Sequence, residues 1–318
     1  MAERVVLSDG GGVALGTGSN PLKVSSLTSA TGNTYYVVPV GEAWYADFLA
    51  QRQMTYPDGS VAVYGDTCST GSTGTGDGIA AAIAACVSKR CDTVVVFGNY
   101  TLTNPIVLDK DGMTFKCMNS NNTMTTNQTQ FRFYGGTGSG GTLTGNLACI
   151  NVTNLRITID GIRMIVTSID YPWGIQSLSH VNSGLCIRNC HVTMAGTNTG
   201  VALKFTTQAH LTTVENCMFL GNNDSDRMNT GIYCAAGSLK SHFKDIYINH
   251  CDFGVYDTGS VDCLWERITI GSGNVTGGFY LPGVTSALID SRNFATIEGT
   301  ITAQNIKSAD VTTGAYYV

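Results

Sequence analysis

Between residues 155 and 294 an apolar position is followed three residues on by a second, buried-type position and five residues on by a third, apolar one, and six stretches share this pattern. The copies read Ile159/Ile162/Met164, Ile187/Cys190/Val192, Val214/Cys217/Phe219, Ile248/Cys251/Phe253, Trp265/Ile268/Ile270 and Ile289/Arg292/Phe294. Their starts lie 28, 27, 34, 17 and 24 residues apart. Self-similarity at such periods marks solenoids, whose units bury an apolar face only by stacking on their neighbours. β-Branched residues crowd the shared positions, and no stretch here carries a helical period of 3.6. A stacked β-coil is the prediction.

A second set of pieces runs out of phase with the first. GIQSL from Gly174, GVALKF from Gly200, GIYCA from Gly231, GVYDT from Gly254 and GGFYL from Gly277 each follow a copy of the first pattern by about a dozen residues. Alternating apolar and polar residues give each piece an inner and an outer face. Clusters of Gly, Asn, Asp and Ser between the pieces supply corners.

Upstream, residues 1–33 are rich in Gly, Ser and Thr and hold too few apolar residues for a core of their own, which predicts an arm that orders against a partner. TYYVVPV reads as a strand and EAWYADFLAQRQM as a helix with one apolar stripe. Asp77 through Arg90 is the clearest helix, with Asp77 as N-cap, an Ala-rich interior and basic residues in the last turn. The boundaries that follow are an N-terminal arm and adaptor over 1–65 and a β-helix over 66–318.

The composition narrows the field. Only 13% of residues are charged, against about 25% in average domains. The net charge is −5 with no Lys/Arg cluster, which disfavours nucleic acid and anionic membrane surfaces. No segment reaches membrane-helix length and apolarity. The opening Met-Ala-Glu-Arg is not a secretory leader, so folding in a cytoplasm is expected. Eleven cysteines are an odd number, and Cys190, Cys217 and Cys251 recur at one repeat position. The expectation is a ladder of small buried thiols, reduced and in register, with no metal and no cofactor.

The stretch CDTVVVFGNYTLTNPIVLDKDGMTFKC, after the Gly/Asp-rich loop and Ala-rich helix, resembles the opening of the pectate-lyase-like right-handed parallel β-helix superfamily. Thr93–Phe97, Gly98, Tyr100, Leu102, Pro105–Leu108 and Gly112–Phe115 carry the likeness, while the Pro of the usual PxG is missing. The resemblance implies an all-β, right-handed parallel β-helix whose first coil is capped by a helix. Tailspikes, lyases, hydrolases and inert virion proteins share this opening, so fold alone assigns no activity. The first 25 residues resemble Gly-rich leaders of bacteriophage virion proteins that end in LKV.

Carbohydrate-cleaving β-helices work with two fixed carboxylates. Asp224 and Asp226, in the loop GNNDSDRMN, are one candidate pair, and Glu215 with Asp245 on the wall beneath is another. The plainer reading of both is solvated turn and strand acids. The Asn-Thr-Asp, Asp-Asp, Gly-His-Gly and Arg-x-Lys strings of galacturonan hydrolases are absent. The five histidines are scattered, and His191 and His250, each beside a ladder cysteine, are expected to point outward. Tyr171 and Trp173, in YPWG, are candidate carbohydrate platforms, or else a turn whose Trp covers a coil edge. The resulting expectation is a non-enzymatic bacteriophage structural protein, a capsid decoration, spike or fibre subunit, homotrimeric and bound in the virion to capsid or other virion proteins. A capsular-polysaccharide depolymerase and a non-catalytic adhesin for host surface glycan are the alternatives.

Overall fold

The structure is a computed structural model. It describes residues 32–42, 56, 59–71, 73–118, 130–133, 148–167, 172–178, 184–195, 200–206, 210–223, 227–235, 240–271, 277–281, 286–290, 302–303 and 306–307. The chain forms a parallel β-helix whose coils present three walls. In the first wall Thr34–Pro39, Thr93–Val96, Thr114–Cys117, Thr158–Asp160 and Cys186–Arg188 pair in parallel. The leading parts of Thr213–Gly221, His242–Asn249 and Val261–Ile270 continue it. The second wall runs from Asn99–Leu102 through Gln130–Phe133, Arg163–Val166 and His191–Met194 to the trailing parts of those three long strands. The third is built from Ile106–Leu108, Ala148–Val152, Trp173–Ser177, Val201–Phe205, Met228–Cys234, Cys251–Asp257 and Gly277–Leu281. Residues 34–39 and 63–66, which the sequence assigns to the adaptor, pair with each other, and 34–37 also pair with 93–96 of the wall.

The spacing of the repeat has a backbone cause. Within a flat strand inward residues recur every second position. Between the first and second walls, however, one residue per coil takes a left-handed φ: Gly161 at 73°, Asn189 at 55°, Asn216 at 50°, Asp245 at 52° and Arg267 at 52°. That residue turns the strand and shifts the parity, so positions one, four and six all face inward. Asn favours this conformation because its short amide bonds locally. Here Asn216 Nδ2 donates to Asn189 Oδ1 at 2.7 Å, and Asn189 Nδ2 to Asp160 Oδ1 at 2.8 Å.

The inward positions form apolar files along the axis. Tyr35, Val94, Phe115, Ile159, Ile187, Val214, Phe243 and Trp265 make one unbroken file, each 0–1% exposed. Phe243 and Trp265 stack with centroids 3.9 Å apart and planes 7° apart. This register corrects the fourth repeat: the copy is Phe243/Ile246/Ile248, five residues earlier than Ile248/Cys251/Phe253. Starts then fall 28, 27, 29, 22 and 24 residues apart. The false copy arises because His250, φ 52°, repeats the same bend at another corner.

The thiol ladder is corrected with it. Cys190 and Cys217 are neighbours, but the next position is Ile246, and Cys251 instead pairs with Met228 in the third wall. All three thiols are buried and none is in a disulfide. Burial pushes the Cys217 thiol well above its ordinary value, keeping it neutral and unreactive. Cys217→Ala is expected to lower stability by about 1 kcal/mol. Native-state alkylation of Cys190, Cys217 and Cys251 should be slow. Rapid labelling of any of them would show that its file does not face the core.

The outward file of the first wall alternates in charge: Lys116, Asp160, Arg188, Glu215, Lys244, Glu266. Opposite charges across neighbouring strands favour this register, and a slip by one coil would set like charges side by side. The Arg188–Asp160 contact at 3.1 Å is partly solvated, so each pair adds little to stability while the file opposes misregister.

At the N-terminal end a helix, α1 (Asp77–Ala85), packs Ile79, Ala82 and Ile83 against the first coil. It stops at Ala85, not at Arg90, where Cys86 turns extended. Asp77 is not its N-cap residue, which is Gly76, although Asp77 Oδ1 does accept from Gly78 N at 2.8 Å. The cap comes from buried Asp66, whose Oδ1 accepts from Thr75 N and Gly76 N at 2.7 and 2.9 Å, and Oδ2 from Gly78 N and Ile79 N at 2.8 and 3.3 Å. Asp77 turns back to accept from Thr67 N at 2.8 Å.

Candidate functional site

The outer face of the third wall carries a row of aromatic side chains in mutual contact. Its register aligns Asn151, Gln176, Lys204, Tyr233, Tyr256 and Tyr280 in one file. A parallel file holds Trp173, Val201, Thr230 and Phe253. The backbone is held close to the core here because Gly231 and Gly254 leave no room for a Cβ. An added Cβ would lie 2.5 Å from an Ile248 or Ile270 methyl. The glycine positions stacked on each other are Gly174, Gly231, Gly254 and Gly278, with Ala202 rather than Gly200 in the second seat.

The rings interact mainly with one another. Tyr233 and Tyr256 stack at 5.2 Å and 28°, Tyr256 and Tyr280 lie 4.8 Å apart at 54°, and Phe253 meets Tyr256 edge-on at 5.5 Å. Lys204 Nζ lies 3.5 Å above the Trp173 ring and 5.9 Å from that of Tyr233. Burial lowers the Lys204 ammonium below its ordinary value, while the π face of Trp173 supplies a partner for its charge. Burial, with the neighbouring Tyr280 and Tyr233 phenols, raises the Tyr256 hydroxyl, which remains a neutral donor and acceptor. The strip therefore offers ring edges and a row of phenol hydroxyls, one per coil about 4.8 Å apart, whereas several ring faces are already taken.

Trp173, predicted as a carbohydrate platform, belongs to this strip, with one face covered by Lys204. Tyr171 lies outside the described residues, as do Asp224 and Asp226. Glu215 and Asp245 are not brought together as an acid pair. The partner of Glu215 across the coils is Lys244, and Asp245 occupies the bend. There Arg267 Nη2 donates to Asp245 Oδ2 at 2.5 Å, and the same guanidinium reaches Glu266, which also contacts His242 at 3.1 Å. The hydrogen bond from Arg267, with its charge, holds Asp245 below the ordinary carboxylate range. That is the wrong direction for a general acid. His191 is 5% exposed rather than a surface residue, and burial lowers it to about 4, so it is neutral at ordinary pH.

Lys204, Tyr233, Tyr256 and Tyr280 escape a reading that follows only the apolar positions. Each stands two residues after a close-packed Ala or Gly, and that offset was available in the sequence. A second feature, a groove of about 460 Å³ beside α1, is floored by Ile79, Ile83, Leu102 and Ile106 with Asp77 and Lys110 on its rim. Among the described residues no group of three or more His, Cys, Asp or Glu could hold a metal. Comparison with protein-family models, curated proteins and solved structures gives no match.

Proposed function

We propose that the chain is a non-enzymatic structural subunit of a bacteriophage particle, a spike, fibre or capsid decoration, held to other virion proteins through its N-terminal arm. The observation that carries the reading is a filled solenoid whose wall acids face bases: Asp160 meets Arg188, Asp245 meets Arg267, and Glu215 lies across from Lys244. Such a wall suits a stiff, static projection. The leader that resembles those of virion proteins supplies the particle context, and homotrimeric assembly fits the same reading. The test is protein mass spectrometry and antibody-gold labelling of purified particles. Labelling at a head or tail projection is expected, and particles without the protein would sink the proposal.

The arm has its own test. Asn33 N donates to buried Asp92 at 2.8 Å, so the solenoid already includes residue 33, and the cut belongs before Gly32. Removing residues 1–31 should leave the thermal midpoint within a few degrees while abolishing attachment. Normal particle incorporation of the truncated chain would refute the arm's role.

The aromatic strip favours a second reading, a non-catalytic adhesin for host surface glycan. Phenol hydroxyls repeated once per coil can hydrogen-bond successive sugars of a linear chain. Glycan-array binding that is lost in Tyr256→Ala, with no new reducing ends or unsaturated sugars released, is the expected result for that reading.

A further inference from the structure

The corner joining the third wall to the first carries an ionisable group the proposed function does not use. Asp257, fully buried, ends the strand Cys251–Asp257 at the inward position above Cys234. Its Oδ1 accepts from Gly259 N at 3.2 Å and Ser260 N at 3.0 Å, closing the turn that leads to Val261. Its Oδ2 is buried and has no hydrogen-bond partner among the described residues. The turn also ties this coil to the one before, since Thr258 N donates to Cys234 O at 3.0 Å and Lys240 N to Val261 O at 3.0 Å. The groups around the carboxyl are the Ser260 hydroxyl, the Cys234 thiol across the coils and the Cys263 thiol on the next strand. No charged side chain among the described residues acts on it.

We propose that Asp257 is a pH-sensitive catch: as the neutral acid it holds this corner shut, and its ionisation loosens the turn and the coil beneath. A carboxylate buried with two amide donors, one orphan oxygen and no cation bears most of the desolvation cost unrelieved. Burial, the largest influence, accordingly raises Asp257 above the ordinary carboxylate range, against the pull of Ser260 and the two amides. For an acid raised in the folded state, the stabilising contribution is complete below the unfolded value near ~4 and is lost as pH rises through the folded value. The Cys263 thiol, pushed up to about 11 by burial, stays neutral through this window.

The test is amide hydrogen exchange of residues 258–264 in the full chain from pH 4 to pH 9, corrected for intrinsic exchange. Opening of the corner should rise by up to about tenfold per pH unit through the titration, as release of one proton requires. Asp257→Asn keeps the Oδ1 acceptor and cannot ionise, so its opening should not vary with pH. Asp257→Ala should open the turn at every pH. A flat wild-type profile, or a pH dependence that survives in Asp257→Asn, would overturn the proposal.

Discussion

Trp265→Ala should lower stability by about 4 kcal/mol, the range found for deleting a large buried aromatic. Trp265 has no exposed surface, stacks on Phe243 at 3.9 Å and meets Phe279 edge-on at 5.7 Å. Phe243 in turn meets Phe205 at 6.0 Å, so one substitution removes a ring from the aromatic cluster that joins the first and third walls. Because each coil contacts mainly its neighbours, the damage should be regional. Denaturant titration should show the loss, and limited proteolysis should begin near residues 242–281 while the coils around α1 stay resistant. Trp265→Phe separates shape from area. The indole Nε1 is buried with no hydrogen-bond partner among the described residues, so Phe removes that donor along with some volume. Its cost should stay below about 1.5 kcal/mol. Equal losses for Ala and Phe would mean that the stacking geometry, rather than filled volume, holds the file.

The axial files were legible in the sequence because burial on every coil repeats the same physical demand. Ile159, Ile187 and Val214 bear the same relation to the bend, and their apolar character survives changes of loop length. The bend itself was not legible. Its left-handed residue is Gly, Asn, Asp or Arg, and only the amides at Asn189 and Asn216 advertise the conformation. Phase was lost where two corners use one device, at Asp245 and again at His250, which shifted the fourth copy and put Cys251 in the wrong file. The candidate site suffered for a related reason. Trp173 stood out as a rare residue in a loop-like string, whereas Lys204, Tyr233 and Tyr256 gain meaning only when register stacks them. Glu215 and Asp245 failed as a pair because sequence distance cannot tell an outward strand residue from a bend residue claimed by the arginine of the next coil.

Asp66→Ala should be the most damaging polar substitution at the N-terminal end, costing about 3 kcal/mol. A helix start leaves its first amides without intrahelical partners, and those amides carry the positive end of the helix dipole. At α1 the Asp66 carboxylate takes two of them, Gly78 N and Ile79 N, on one oxygen, and Thr75 N and Gly76 N of the turn leading into the helix on the other. Gly78 makes this approach possible, since an added Cβ there would lie 3.0 Å from Asp66 Cα. Burial pushes the Asp66 carboxyl above the ordinary carboxylate range, and the amides from Gly76, Thr75 and Gly78 pull it back. Alanine takes this acceptor from Thr75 N, Gly76 N and Ile79 N in a closed space, while Gly78 N keeps Asp77 Oδ1, which is shared with Thr67 N. Asp66→Asn should recover only part of the loss, because its NH2 group would face two amide donors. Asp77→Ala should cost under about 1 kcal/mol, as expected for a solvated turn contact. Circular dichroism during thermal melting, with proteolysis across residues 67–90, distinguishes the two acids. A larger effect from Asp77 than from Asp66 would return the cap to the helix's own first residue.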